Sequence, residues 1–235
     1  MRCDRHSMLL YAVTDRAWTG PESSLKEQVE AALKGGVTCV QLREKELNEE
    51  EFLREAVELK ALCGDYKVPF IVNDNVEIAL KCGADGVHVG QEDMQAADVR
   101  SMVGENCMIG VTAKTVEQAL AAEKAGADYL GVGAVFSSPT KPNAKGITHQ
   151  MLKEICRAVS IPVVAIGGIS KDNILELSGS GADGVALVSA IFAAENIEME
   201  CRKLRALSEK MVLSQPKYNR EEKQNYEDST DNCRK

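Results

Sequence analysis

Aromatic residues make up only 4% of this 235-residue chain, and acids outnumber lysine and arginine, for a formal net charge of -8. A nucleic-acid surface needs a basic field and stacking rings, so this composition argues against nucleic acid as a partner. No stretch approaches the ~20 consecutive apolar residues of a membrane-spanning helix. The opening segment MRCDRHSMLLYAVTD lacks the apolar run and small-residue cleavage site of a secretory signal. No membrane role is expected, and the expected compartment is the cytoplasm. The eight cysteines include no C-x-x-C pair; set among apolar neighbours, they read as packed, reduced thiols instead of a disulfide or zinc framework. Histidine is scarce too. His6 precedes the first apolar run, His149 lies beside a helix start, and His88 alternates with Val87 and Val89 as a packed residue would.

What the chain does contain is enough apolar sequence, 44%, to bury the core of one large domain. One junction recurs four times, as KGGVTCVQL, KCGADGVHVG, KAGADYLGVG and GSGADGVALV. Each copy reads as a helix ended by glycine, a tight turn and a short apolar strand. Aligned on Gly36, Gly83, Gly126 and Gly181, the copies are 47, 43 and 55 residues apart, about twice the length of a compact βα unit. Between them, or ahead of the first, lie four further apolar runs, LLYAVTD, VPFIVND, MIGVTAK and IPVVAIGG. That makes eight strands alternating with amphipathic segments such as SLKEQVEAALKGG and NEEEFLREAVELKALCG, the latter opened by a capping pair, Asn48 and Glu51. The expected fold is an α/β (β/α)8 TIM barrel, one domain spanning 1–213, with an open doubly wound sheet as the competing arrangement. Residues 214–235, SQPKYNREEKQNYEDSTDNCRK, are polar and nearly free of aliphatic side chains, and read as a disordered tail.

Barrels of this kind carry their reacting groups at the C-terminal ends of the strands. The second strand runs into QLREK, which sets Arg43 and Lys45 on the rim. The third ends in Asn73 and Asp74, and the fourth in Gln91, Glu92 and Asp93. Each acid singly would serve as a helix cap. Two carboxylates and an amide on adjacent strands also suit a hard cation such as Mg²⁺, and a cation beside Arg43 and Lys45 would suit a diphosphate leaving group. Across the mouth, Gly167 and Gly168 permit close backbone approach, while Val188 and Ser189 open a helix that would face an anion. The long polar loop FSSPTKPNAKGI, residues 136–147, reads as a lid or binding loop bringing Ser138, Thr140 and Lys141 over the ligands.

Taken together and in this order, QLREK, the Asn-Asp pair, HVGQED, the S-P-T-K loop, IGGI and VSAI resemble the thiamine phosphate synthase family over roughly residues 8–212. The resemblance implies a transferase that joins 4-amino-5-hydroxymethyl-2-methylpyrimidine diphosphate to a thiazole phosphate with Mg²⁺, giving thiamine monophosphate and diphosphate. Carried over position by position, Gln41, Leu42, Arg43, Glu44, Lys45, Asn73 and Lys141 would contact the pyrimidine diphosphate. Asp74 and Asp93 would bind Mg²⁺. Ser138, Thr140, Gly168, Val188 and Ser189 would hold the thiazole phosphate. Arg43, Lys45 and Lys141 would stabilise the departing diphosphate. In GVTAKT the chain departs from the family pattern: Thr112 replaces the usual serine and keeps its hydroxyl, and Lys114 replaces a histidine. A thiazole tautomerase and a non-catalytic thiazole-phosphate-binding barrel are the competing readings. The acids and Arg43 weigh against the second, and Lys114 against the first. Small-molecule substrates are the expected partners, with room for a homo-oligomer.

Overall fold

The computed structural model of the chain describes residues 3–20, 23–90, 96–136 and 146–214. The strands are β1 (Leu10–Val13), β2 (Cys39–Leu42), β3 (Phe70–Asn73), β4 (Gly86–Val89), β5 (Met108–Ala113), β6 (Tyr129–Gly133), β7 (Val163–Ile166) and β8 (Gly184–Leu187). They are all parallel and pair in sequence order, and β8 returns to β1 to close the barrel. The helices are α1 (Leu25–Lys34), α2 (Glu49–Asp65), α3 (Val76–Cys82), α4 (Ala96–Val103), α5 (Val116–Lys124), α6 (His149–Ala158), α7 (Ser189–Phe192) and α8 (Ile197–Leu213). The strict alternation of strand and helix fails once, after β7. There the chain forms only a 3-10 turn, Ile174–Leu177, whose Asn173 makes no side-chain cap and which runs straight into the Ser-Gly-Ser-Gly segment 178–181. That segment holds two glycines at positive φ, which a continuing helix does not accommodate.

The repeated junction shows why the strands start where they do. Asp85, Asp128 and Asp183 each donate their backbone N–H to the carbonyl of the first or nearly first residue of the preceding strand: Phe70, Ile109 and Val163. Each also accepts that same residue's N–H on its carboxylate, at 2.8, 2.8 and 2.9 Å. In the first copy Thr38 takes the aspartate's place, and its hydroxyl accepts from Leu10 N–H at 2.9 Å. A side-chain oxygen thus satisfies a strand-end N–H that would otherwise lack a ladder partner. The glycines of the junction, Gly36, Gly83, Gly126 and Gly181, all adopt positive φ, between 67° and 95°, as the sequence pattern implies.

Two apolar layers result. Outward-facing strand residues pack against the helices in one large cluster, while Tyr11, Val13, Cys39, Ile71, Met108, Tyr129, Val164 and Ala186 fill the barrel interior. Along several strands the inward series turns polar toward the C-terminal end: Cys39 gives way to Gln41, Ile71 to Asn73, and Met108 to Thr112. The alternation of side chains along a strand therefore delivers polar groups to one mouth only. All seven cysteines of the described residues are free thiols, and burial pushes Cys63 and Cys201 up to about 12. Among the described residues no helix is long and apolar enough to cross a membrane.

Candidate active site at the mouth of the barrel

Strand register gathers the rim residues. Gln41 stands beside Ile71 and Leu42 beside Val72, so Arg43 leaves β2 level with Asn73 at the end of β3, and Asn73 in turn pairs with His88 on β4. The backbone of the QLREK segment is then fixed from β1. Thr14 N–H donates to the Gln41 carbonyl at 2.9 Å, and the Thr14 hydroxyl accepts from Arg43 N–H at 3.0 Å. Arg43 is partly exposed, with its guanidinium 3.7 Å from Asp15, and Lys45 is exposed. Leu42 is fully buried in the apolar layer under the helices.

Glu44 is folded back onto its own loop. Its carboxylate, 8% exposed as a residue, accepts from the N–H groups of Lys45 and Glu46 at 2.7 and 2.9 Å and from Arg16 Nε at 2.8 Å. Burial pushes this carboxyl up, but the Glu46 N–H, the Arg16 guanidinium and the Lys45 N–H together bring it below its ordinary value. Arg16 also pairs with Glu55 on α2 at 2.8 Å. Glu44 thereby curls its own loop around one anionic centre, while the flanking Arg43 and Lys45 pair with Asp15 and Asp74. The sequence reading passed over Arg16; its signal was a basic residue just beyond the end of the first strand, one position after the capping Asp15.

Asp74 is the most informative residue of the mouth. Helix α3 is capped by Asn75, whose side chain accepts from Ile78 N–H at 2.9 Å, so Asp74 does not act as the cap. It sits instead at φ 61°, one of two positive-φ positions outside glycine among the described residues. That conformation costs an L-residue about 1–2 kcal/mol. It is held by the Asp74 N–H to the His88 carbonyl at 2.8 Å and the Asn75 N–H to the Asn73 carbonyl at 2.7 Å. The carboxylate so presented receives Asn73 Nδ2 at 2.6 Å and Lys45 Nζ at 2.5 Å, both on Oδ2. A cationic group already occupies the place where a metal ion would neutralise this acid.

Among the described residues no cluster of three histidine, cysteine or acidic side chains is preformed for a metal. One or two carboxylates whose remaining partners come from substrate phosphate and water are the donor set of Mg²⁺, and Asp74 beside the Asn73 amide fits that chemistry. Asp93, Ser138, Thr140 and Lys141 lie outside the described residues. On either side of residues 137–145, Ile147 N–H donates to the Ala134 carbonyl at 2.8 Å.

On the opposite side Gly167 and Gly168 both take positive φ, 101° and 65°. The turn is braced by Asn173, which donates to the Gly168 carbonyl at 2.9 Å and accepts from Ser170 N–H at 2.8 Å. Val188 and Ser189, both partly exposed, form the start of the four-residue α7. Lys114 is exposed, its backbone N–H bound to Gln118.

A polar chain runs across the interior just below the mouth. Gln41 Nε2 donates to Tyr11 Oη at 2.9 Å, the Tyr11 and Tyr129 hydroxyls lie 2.8 Å apart, Tyr129 Oη is 3.1 Å from His88 Nδ1, and His88 Nε2 is 3.0 Å from Thr112 Oγ1. Desolvation lowers His88 to about 4, against a smaller opposing pull from Asp74, so the ring is neutral near pH 7. Burial likewise raises both tyrosines well above their ordinary value. The packed role expected of His88 holds. Tyr11 and Tyr129 escaped the sequence reading, although a tyrosine in an apolar strand opposite strand glycines was visible there.

The sequence model described as "Thiamine monophosphate synthase" matches residues 10–191. A thiamine-phosphate synthase of Clostridium botulinum is 46% identical over 202 residues, covering 86% of this chain and 94% of the relative. One from Ruminiclostridium cellulolyticum is 48% identical over 195 residues, covering 83% and 92%. Among solved structures, the thiamine phosphate pyrophosphorylase from Pyrococcus furiosus superposes with a TM-score of 0.82 at 39% identity, covering 88% of this chain and 98% of that one. With its closed eight-stranded barrel and with the family match extending over most of its length, the chain belongs to the thiamine monophosphate synthase family.

Proposed function

We propose that the mouth of this barrel performs the thiamine-phosphate synthase reaction, a transferase chemistry in which a pyrimidine diphosphate alkylates a thiazole phosphate. The carbon–oxygen bond to the pyrimidine methylene breaks, and its electron pair leaves with diphosphate. The thiazole nitrogen lone pair forms the new carbon–nitrogen bond. The amino group of the pyrimidine feeds electron density to the methylene as charge builds there. No proton needs to be removed from the nucleophile, which is why a site without a general base suffices.

The observation that carries this reading is Asp74, a strained, uncapping acid set against Lys45 and Asn73 beside the rim that holds Arg43. Asp74 and Asp93 would hold Mg²⁺, which when bound neutralises charge on the diphosphate. Arg43 offers a planar fork and Lys45 a mobile ammonium to the same phosphates, with Lys141 as a third cation. Lys45 exchanges its contact with Asp74 for one with phosphate when the substrate arrives. Gln41, Asn73 and Thr112 bind and orient the pyrimidine, and Leu42 and Glu44 contribute through the backbone they position. Gly168, Val188, Ser189, Ser138 and Thr140 hold the thiazole phosphate, Gly168 and its neighbours through backbone N–H groups. Alignment of two substrates and leaving-group electrostatics supply the rate.

The test is formation of thiamine phosphate from the two phosphorylated substrates, with Mg²⁺ and with a chelator. Product is expected with Mg²⁺, and chelation is expected to abolish it. Thiazole phosphate binding without any product would exclude the reading.

A further inference from the structure

The proposed reaction assigns no role to Tyr11, Tyr129 and His88, which link Gln41 on β2 to Thr112 on β5 across the interior. Tyr11 and Tyr129 are 2% and 0% exposed. Each phenol has one proton to give, and a neutral imidazole has one N–H. The direction of donation must therefore be the same at every step. With the Gln41 amide donating to Tyr11, Tyr11 donates to Tyr129, Tyr129 donates to His88 Nδ1, and the ring proton sits on Nε2, facing Thr112 Oγ1. The Thr112 hydroxyl, accepting from the ring, then gives its own proton away from His88. If Gln41 presented its carbonyl instead, every bond would reverse and the ring proton would move to Nδ1. A mixed arrangement sets two donors or two acceptors face to face in a desolvated interior, where an unmade bond is costly.

The packing is built around this chain. A Cβ at Gly110 would overlap the Tyr129 ring, its hydroxyl and His88 Nδ1, and one at Gly131 would press on the His88 ring. The Tyr129 ring lies tilted against both partners, with centroids 5.9 Å from Tyr11 and 5.5 Å from His88. Two glycines on β5 and β6 thus hold open the space that keeps the three rings in hydrogen-bonding order.

We propose that Tyr129, together with Tyr11, is a positioning residue that couples the amide orientation of Gln41 to the hydrogen-bonding role of Thr112, so that the two sides of the pyrimidine pocket present one fixed pattern with Thr112 as a donor. The role rests on the reading of Gln41 and Thr112 as pyrimidine contacts, and the test separates the two.

Nitrogen-15 histidine NMR on the full chain, with the His88 signals assigned by their loss in His88→Asn, reads the tautomer directly. The wild-type ring is expected to carry its proton on Nε2. Gln41→Glu, studied at pH 8.5 so that the carboxylate only accepts, is expected to move the proton to Nδ1. Adding Tyr129→Phe, or independently Tyr11→Phe, is expected to abolish that response. A wild-type proton on Nδ1, or a tautomer that Gln41→Glu leaves unchanged, overturns the coupling. In steady-state assays Tyr129→Phe is expected to raise KM for the pyrimidine diphosphate about tenfold, with KM for the thiazole phosphate unchanged. An intact coupling with both KM values unchanged overturns the placement of Gln41 and Thr112 in that pocket, and with it the positioning role.

Discussion

At the floor of the barrel Asp85, Asp128 and Asp183 each accept a strand N–H and face a basic partner, Lys60, Arg100 and Arg5. At the mouth Asp74 faces Lys45 in a comparable ion pair, yet it accepts no strand N–H in this way and sits in a backbone conformation that costs energy. The residue type is the same and the local sequence is similar, an apolar strand next to an aspartate. What differs is which end of the strand the acid occupies. An acid before a strand can satisfy the orphan N–H groups of the neighbouring strand and so stabilises the fold. An acid after a strand stands at the mouth, where Asp74 takes up only the Lys45 ammonium and the Asn73 amide among the described residues. Parallel strands make the two ends of the barrel inequivalent, and the acids follow that division of labour.

The sharpest break comes from exchanging what each acid would lose. Asp74→Gly removes the carboxylate and relieves the positive-φ strain together. Turnover is expected to fall by about 100-fold to 1,000-fold, while the melting temperature stays level or rises. Product formation and thermal melting on one sample check both halves. A lowered melting temperature with near-normal turnover would move Asp74 into the structural class.

Asp183→Ala should do the reverse. Its side chain is 0% exposed and satisfies both the Val163 N–H and Arg5, so its loss leaves a buried donor and a cation short of a partner. The expected cost is about 3 kcal/mol of stability, read by denaturant unfolding, with the folded fraction keeping its turnover within about twofold.

The smallest effect is expected from Arg16→Ala, which lies between the two classes. Arg16 is not itself among the proposed substrate contacts but holds Glu44 and hence the loop that carries Arg43 and Lys45. KM for the pyrimidine diphosphate should rise several-fold, roughly 1 kcal/mol in kcat/KM, with Arg16→Lys recovering part of it. An unchanged KM would mean that the loop keeps its shape without this anchor.

The alternating strand-and-helix pattern was legible because four glycine-ended junctions repeat at about twice the length of a βα unit, with four further apolar runs between them or ahead of the first. For the same reason Arg43, Lys45, Asn73 and Asp74 could be located at strand ends before any coordinates. Other features depend on neighbours that are distant in sequence. Nothing in QLREK distinguishes Glu44, folded back on Arg16, from Arg43 and Lys45, which reach Asp15 and Asp74. In NDN the choice between Asp74 and Asn75 as helix cap turns on one backbone torsion, held by the carbonyl of His88 from the next strand.

Periodicity and residue chemistry alone were sufficient for eight alternating strands and helices and for which charged residues follow the strands, since these are matters of local pattern and of the fixed polarity of parallel strands; closure into a barrel instead of an open sheet was not among them. Which residue caps a helix, which glutamate braces a loop, and how five polar side chains on five different strands join into one hydrogen-bonded chain were settled only by the tertiary structure, because the bonds of that chain join residues 24 to 118 positions apart and exist only when β1 to β6 stand in register.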